Sequence, residues 1–294
     1  MMIDSFLKHL QYEKRLSPNT VQAYQIDLLQ LRQFLLENHA HSDITTASHP
    51  LIRSWIVSLV ESGIEPVSVN RKIACLRTFF KFLLKQEAIS TDPMIKVRVL
   101  KTKKRLPGFV KEEDMVKLLD NHIFEETFEG QRDRLVLEMF YGTGIRLSEL
   151  INLKEASIDL NNRTIKVLGK RNKERVIPFS SGLIYLIENY LTLRNREVEM
   201  KDHGNFFVRK NGDSCYPMMI YKIVRKSLDQ FPGVEKRSPH VLRHTYATHL
   251  LNKGAELNAV KDLLGHTSLA ATQVYTHNSM EKLKKVFDQA HPKA

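Results

Sequence analysis

The chain of 294 residues has only two cysteines, Cys75 and Cys215, and they lie far apart in the sequence. Such a pair makes neither a disulfide framework nor a cysteine metal cage, which is typical of a reducing compartment. No apolar run approaches the roughly 18 residues of a membrane-spanning helix, and segment 1–15 lacks the apolar core of a signal peptide. We therefore expect a cytoplasmic protein without a membrane partner.

Acidic residues are the minority charge. The sequence has 33 Asp and Glu against 45 Lys and Arg, which gives a formal net charge of +12. This excess favours a polyanionic partner, although a basic soluble protein without such a partner stays an open alternative. Residues 1–106 carry a net charge of +7, and residues 107–294 carry one of +5. Because the shorter part is the more basic, we expect the phosphate-binding surface on it.

Strand patterns are missing from the first hundred residues, which predict helices only. Ser17-Pro18 is typical of a helix N-cap followed by proline at the first helical position. Apolar residues then recur at helical spacing at Val21, Tyr24, Leu28, Leu31 and Leu35. A later helix, which follows Pro66, has an apolar face at Ile73, Leu76, Phe80 and Leu83.

A strongly basic segment separates this helical part from the rest of the chain. Six of the eleven residues in 95–105 are basic and none is acidic, and Leu106-Pro107-Gly108 ends the segment. We therefore predict a helical DNA-clamping domain over 1–95, a basic linker over 96–107 and a second domain over 108–294. The candidate DNA-backbone residues lie on the later helix and in the linker: Arg77, Lys81, Lys85, Lys101, Lys103, Lys104 and Arg105. For the first three, a solvated helix face is the open alternative.

The second part predicts helices around a small antiparallel sheet, so the expected fold class is mainly α with a small sheet. Residues 132–141 predict a helix that Gly142 and Gly144 end. Segments 158–160 and 164–168 predict a hairpin, and a strand resumes at Val176-Ile177 after a turn at 169–173.

Two glycines and a capping pattern mark the ends of the last helices. Gly254 and Gly265 occupy helix C-cap positions. Asn278 and Glu281 resemble a capping box that opens a final helix. That helix has a small apolar face at Leu283, Val286 and Phe287.

Cations and one phenol gather near the end of the chain, where no acidic cluster suited to a metal accompanies them. His240, Arg243, His266 and Tyr275 lie within 36 residues, and Arg146 precedes them. Arginine forks onto phosphate oxygens, histidine donates or shuttles a proton, and tyrosine can attack covalently. Lysine can protonate a leaving alkoxide when neighbouring cations lower its pKa. This set can cleave a phosphodiester without a metal or another cofactor.

Each of these residues has a simpler interpretation when it is taken alone. A lone histidine is most often a packed or surface group, and Tyr141 and Tyr246 are typical of packing. His240 and His244 have zinc-ligand spacing, but Arg243 between them would repel the ion. Lys170 can belong to a solvated hairpin turn.

Five motifs in a fixed order favour the catalytic interpretation over these simpler ones. They are Thr-Gly-Ile-Arg146-Leu-Ser-Glu-Leu, Gly-Lys170-Arg-Asn-Lys-Glu-Arg, Pro-His240-Val-Leu-Arg243-His-Thr-Tyr-Ala-Thr-His, Leu-Gly-His266-Thr-Ser and Tyr275-Thr-His. Together they resemble the tyrosine recombinases, or phage integrase family, and within it the Xer branch. The segment from Ser17 to Leu28 is similar to that family's helical core-binding domain, so the resemblance covers nearly the whole chain.

The resemblance implies a role for each motif residue. Tyr275 would attack the scissile phosphate and form a 3′-phosphotyrosyl link. Arg146 and Arg243 would clamp the non-bridging oxygens, and His266 would add a hydrogen bond to them. Lys170 would protonate the departing 5′-oxygen. His240 would assist proton transfer at the tyrosine. Arg171 stands where the family often has glycine.

The resemblance also implies partners. It implies a double-stranded DNA recombination site, a homo- or hetero-tetramer on two duplexes that can include a paralogous recombinase, and a septal DNA translocase. The C-terminal face would dock on a neighbouring protomer, with packing on its own domain as the alternative.

Chromosome-dimer resolution at cell division is the expected function. A mobile-element integrase, a type IB topoisomerase-like enzyme and a non-enzymatic DNA-binding regulator are the alternatives.

Overall fold

The structure is a computed structural model and divides into two units, Met1–Arg105 and Leu106–Ala294. It describes residues 2–39, 43–102, 108–121, 124–169, 174–199, 204–231, 233–234, 236–265 and 286–292. None of the described helices combines the length and the apolar character that crossing a membrane requires. The boundaries of the predicted linker stay a prediction.

The described residues of the N-terminal unit form helices and no strand, as the sequence predicts. The α-helices are α1 (Met2–Lys8), which continues as a π-helical turn over His9–Glu13, α2 (Pro18–His39), α3 (His49–Glu61) and α4 (Pro66–Lys85). The predicted N-cap of α2 is confirmed, because the Ser17 hydroxyl oxygen accepts the Thr20 backbone N–H at 3.3 Å.

The core of this unit lies between the predicted apolar faces of α2 and α4. Leu28, Leu31 and Leu35 of α2 are fully buried. The same holds for the predicted face of α4, which is Ile73, Leu76, Phe80 and Leu83. A buried carboxylate also joins the two helices, since Asp27 accepts Arg71 Nη1 at 2.5 Å and Lys72 Nζ at 2.8 Å.

The first residues of the predicted linker pack on α4. Val97 is buried, and its carbonyl accepts the Arg77 guanidinium at 2.6 Å. Asn70 bonds both backbone groups of Leu100, at 2.8 and 2.9 Å. Residues 97–100 are therefore part of the N-terminal unit's packing.

The second unit combines helices with a three-stranded sheet. The helices are α5 (Glu112–Val116), α6 (Phe128–Thr143), α7 (Leu147–Ile151), α8 (Ser181–Glu197), α9 (Pro217–Leu228), α10 (Pro239–Asn252) and α11 (Leu257–Leu264). The strands are β1 (Ile158–Asp159), β2 (Thr164–Leu168) and β3 (Glu174–Pro178). The predicted class, mainly α with a small antiparallel sheet, is confirmed.

The sheet has the order β1-β2-β3, and both pairs are antiparallel. Ile165 pairs with Ile177, and Val167 pairs with Arg175. The predicted hairpin is confirmed, but Leu160 belongs to its turn and not to the first strand. β3 is longer than the predicted Val176-Ile177.

Helix α6 runs through the core of this unit and corrects one prediction. It packs against α8 and α10, and it continues past Tyr141 to Thr143. Gly142 therefore lies inside the helix, and Gly144 alone ends it in the left-handed conformation at φ 60°. An αL residue at the C-terminus is a common way to stop a helix, whereas a glycine within the last turn is tolerated.

The described part of the C-terminal segment packs on its own unit. Phe287 is 1% exposed and belongs to an apolar cluster with Tyr246, Leu250 and Leu263. The ring of His291 stacks on Phe287. The ring of Phe287 thus packs on its own domain, the alternative given for this face, and docking on a neighbouring protomer stays a prediction. Asn278, Glu281 and Leu283 lie outside the described residues.

Replacing Gly144 by alanine tests the helix end. A Cβ there would lie 2.6 Å from the Tyr246 ring, on a backbone that L-residues rarely adopt. We expect Gly144→Ala to lower the free energy of unfolding by about 2 kcal/mol or more, measured by urea unfolding followed by circular dichroism.

Gly142→Ala is the matched control. A Cβ at Gly142 meets nothing within 4 Å, and alanine in a helix is favoured over glycine by about 0.5–1 kcal/mol. An equal loss of stability in both variants would contradict the assignment of Gly144 as the helix end.

Candidate active site

Arg146 lies where one helix ends and the next begins. Gly144 ends α6, and its N–H donates to the Phe140 carbonyl at 3.1 Å. Two residues later Arg146 caps α7, with its backbone N–H donating to Glu149 Oε2 at 2.8 Å. The Gly-Ile-Arg-Leu-Ser-Glu motif therefore ends one helix and begins the next, and this geometry fixes the direction of the Arg146 side chain.

The guanidinium of Arg146 binds two kinds of acceptor. Nη1 donates to Glu149 Oε1 at 2.6 Å. Nη2 donates to the Leu264 and Gly265 carbonyls at 2.9 and 2.8 Å. The side chain is 21% exposed, so it is fixed on one side and open on the other.

Arg243 reaches the same carbonyls from α10. Its Nη2 donates to the Leu264 carbonyl at 2.5 Å, and its Nη1 donates to the Gly144 carbonyl. The residue is buried. Burial, together with the positive charges of Arg146 and Arg175, lowers the pKa of Arg243 to about 9. The side chain is still a cation at neutral pH.

The carbonyls at the end of α11 compensate the repulsion between these neighbouring cations. The last carbonyls of a helix carry partial negative charge and have no partner within the helix. Here those carbonyls belong to Leu264 and Gly265, and they accept both arginines. Two guanidinium groups are therefore placed side by side, as binding of the oxygens of one phosphate requires.

A buried ion pair that sequence reasoning missed lies beneath this pair of arginines. Arg175 Nη2 donates to Glu149 Oε2 at 2.8 Å, and Nη1 donates to Oε1. The side chains of Arg175 and Glu149 are 4% and 2% exposed. Burial alone would raise the pKa of Glu149, but the bonds and charge of Arg175, with the bonds from Arg146, lower it below its ordinary value.

Two sequence signals could have identified the pair. Glu149 is three residues after Arg146, a spacing that brings side chains together on a helix. Arg175 is two residues before the buried Ile177, and strand alternation puts both on one face.

The other predicted catalytic residues divide into described and undescribed ones. His240 is exposed in the first turn of α10, three residues before Arg243. Lys170, His266 and Tyr275 lie outside the described residues. The structure thus brings Arg146 and Arg243 together at one carbonyl, and His266 follows Gly265 directly in the chain.

The candidate DNA-backbone residues differ in accessibility. Lys81, Lys85 and Lys101 are exposed, whereas Arg77 is half-buried and bonded to the Val97 carbonyl. Lys103, Lys104 and Arg105 lie outside the described residues. Contact of any of them with DNA stays a prediction.

Comparisons with known proteins identify the class. Residues 109–282 match the Phage integrase family, and residues 3–87 match the family's N-terminal SAM-like domain. A tyrosine recombinase XerC of Chlorobaculum parvum is 37% identical over 318 residues, with 99% of this chain and 94% of the relative covered. A tyrosine recombinase XerC of Staphylococcus aureus is 38% identical over 291 residues, with 99% and 96% covered.

The fold agrees with this comparison. A crystal structure of the XerH site-specific recombinase, bound to a palindromic difH substrate, superposes with a TM-score of 0.72 at 22% identity. The match covers 96% of this chain and 82% of that chain.

The chain therefore belongs to the phage integrase family, the tyrosine recombinases, which catalyse DNA cleavage and strand exchange. Within that family it is of the Xer type.

Glu149→Gln tests the charge balance of the site. Removing one partner of a buried ion pair leaves the other charge uncompensated, at a cost of about 3–5 kcal/mol. We expect a loss of about 3 kcal/mol in the free energy of unfolding at pH 7. Because the folded-state pKa of Glu149 is lowered, its contribution is present above the unfolded value and is lost as the pH falls through the folded value.

The measurement is urea unfolding at several pH values between pH 7 and pH 3. The difference between wild type and Glu149→Gln should shrink toward the acid end. Glu188→Gln, at an exposed carboxylate, is the control and should change stability by less than about 0.5 kcal/mol. A pH-independent difference would contradict an ionised Glu149 in the folded protein.

Proposed function

We propose that this protein is a site-specific recombinase that cuts and rejoins double-stranded DNA through a 3′-phosphotyrosyl intermediate, and that it resolves chromosome dimers at cell division. The proposal includes a cytoplasmic location. The observation that carries the chemistry is the convergence of Arg146 and Arg243 on the Leu264 carbonyl. The XerC relatives, which match along 99% of this chain, support the cellular role.

The proposed reaction conserves the phosphodiester bond energy. The phenol oxygen of Tyr275 attacks the scissile phosphorus, the bond from phosphorus to the 5′-oxygen breaks, and that oxygen takes a proton from Lys170. His240 receives the phenol proton. Religation reverses these steps with a 5′-hydroxyl from the partner duplex. Neither a metal nor ATP enters this balance.

The geometry supports the assignment of the arginines. A phosphoryl-transfer transition state gathers negative charge on its non-bridging oxygens, and fixed donors there stabilise it without reorganisation. The contacts of Arg146 with Glu149 and Gly265 restrict its guanidinium before DNA binds. In the proposal, His266 adds a hydrogen bond to the same oxygens.

The proposal extends to the DNA partner and to the assembly on it. The XerH structure named above is bound to a difH substrate, and we propose a recombination site of this general kind as the DNA partner. We further propose a tetramer on two duplexes, either of this chain alone or with a paralogous recombinase, and control by a septal DNA translocase. The predicted cations Lys81, Lys85 and Lys101 are exposed, as contact with a DNA backbone requires.

Tyr275→Phe tests the nucleophile. The phenylalanine ring keeps the shape but has no attacking oxygen. We expect the variant to bind DNA with unchanged affinity and to form no covalent adduct with a nicked duplex that carries the binding site, judged by denaturing electrophoresis. The site is first mapped by protection of genomic DNA.

Tyr185→Phe is the matched control, because Tyr185 is 69% exposed. It should form the adduct at the wild-type rate. An adduct from Tyr275→Phe that survives denaturant would overturn the assignment of the nucleophile.

Arg146→Lys tests the phosphate clamp. Lysine keeps the charge but loses the planar fork that binds two acceptors at once. We expect the single-turnover rate of adduct formation to fall by about 10²-fold or more, with a much smaller change in DNA affinity. Arg196→Lys, at an exposed arginine, should leave the rate unchanged, and a clamp variant as fast as this control would contradict the role of Arg146.

Exchange between two duplexes separates recombination from the alternatives. Joined products from two labelled duplexes would support strand exchange. An adduct with DNA relaxation but no exchanged product would favour a topoisomerase-like enzyme instead.

A further inference from the structure

We propose that Arg175 is a positioning residue for the reaction, holding three catalytic segments in register without touching DNA. The inference rests on the proposed function, since it concerns the placement of Arg146, His266 and Lys170. Arg175 has no part in the reaction as it is proposed above.

Arg175 is placed to act on the site from inside the protein. It is the second residue of β3, pairs with Val167 of β2 and faces the core. Its side chain is 4% exposed, so it is more buried than that of Arg146 at 21%. All three of its guanidinium nitrogens bond protein acceptors, Nε the Leu263 carbonyl and the two terminal nitrogens Glu149, so in this proposal it acts through those contacts and not on the phosphate.

The first segment that Arg175 holds is the start of α7. Its two terminal nitrogens bond both oxygens of Glu149. The same carboxylate accepts Nη1 of Arg146 at 2.6 Å and the backbone N–H of Arg146 at 2.8 Å. Arg175 therefore shares the charge of Glu149 with Arg146. Without Arg175, the carboxylate would attract Arg146 alone and compete with the phosphate for it.

The second segment is the end of α11. Nε of Arg175 donates to the Leu263 carbonyl at 3.2 Å. Its side chain also lies against Gly265, where an added Cβ would be 2.9 Å from Arg175 Cδ. Gly265 has φ 62° and directly precedes His266. Arg175 thus fixes the turn from which His266 departs.

The third segment is the hairpin between β2 and β3. Arg175 follows the first residue of β3, and Lys170 is five positions before it. The strand cannot shift along β2 without breaking the bonds to Glu149 and Leu263, because a slip by one residue would turn the side chain to the opposite face. One side chain therefore ties together the segments that carry three of the proposed catalytic groups.

Arg175→Gln tests this assignment in the full-length protein. The amide removes the charge and the fork while keeping a polar side chain. Residues that hold a catalytic group in place typically cost 10–100-fold in activity when replaced, as in metal sites, and we expect a fall of about that size in the single-turnover rate of adduct formation. Arg175→Lys, which keeps the charge, should recover part of the rate. If circular dichroism shows Arg175→Gln to be unfolded, Arg175→Lys carries the same test with a smaller expected fall.

The reaction rate on a charge-neutral substrate distinguishes positioning of Arg146 from general destabilisation of the protein. A methyl group in place of one non-bridging oxygen of the scissile phosphate lowers the demand for the arginine clamp. If Arg175 acts by placing Arg146, the defect of the variant should be smaller on this duplex than on the native one. An equal defect on both duplexes would overturn the proposal in favour of a purely structural role.

A double variant gives the second readout. Because Arg175 acts in part through Arg146, the combined loss in Arg146→Lys with Arg175→Gln should be smaller than the product of the two single losses, whereas fully multiplied losses would overturn the proposal. A wild-type rate in Arg175→Gln would overturn this inference and leave the proposed function intact. No adduct from wild-type protein would overturn the proposed function, and this inference with it.

Discussion

The site depends on three successive backbone carbonyls at the end of α11. The Leu263 carbonyl accepts Arg175, the Leu264 carbonyl accepts Arg146 and Arg243, and the Gly265 carbonyl accepts Arg146 again. Three guanidinium groups in a partly buried space repel one another, and the lowered pKa of Arg243 reflects its burial first and this repulsion second. The helix-end carbonyls and the carboxylate of Glu149 compensate the repulsion. The placement of the three arginines therefore depends on where α11 ends.

The glycines beside the arginines follow from the same constraint. Gly144 and Gly265 both adopt left-handed backbone conformations and both end helices. A Cβ at Gly144 would meet the Tyr246 ring, and one at Gly265 would meet Arg175. The Gly144 carbonyl also accepts Arg243. Each glycine thus stops a helix and lets another side chain pack close to its backbone, the Tyr246 ring at Gly144 and Arg175 at Gly265.

Sequence reasoning succeeded where one local pattern decides the outcome. The apolar faces of α2 and α4 follow from helical spacing, and the predicted hairpin of β1 and β2 follows from alternation and its turn. It failed where a distant contact decides. Gly142 looked like a helix break, yet only Gly144 has the αL conformation. Sequence reasoning assigned no role to Arg175, because burial of its charge depends on Glu149, which is 26 positions away.

The sequence alone determined the class of the protein, its mainly helical fold and the identity of the candidate catalytic residues, because motif order, periodicity and residue chemistry are local properties. Only the tertiary structure decided which cations meet. Arg146 and Arg243 share one carbonyl although they are 97 positions apart, and Phe287 lies in its own unit's cluster. The physical reason is that compensation of charge and burial of apolar surface are satisfied between elements, by partners that no local pattern names.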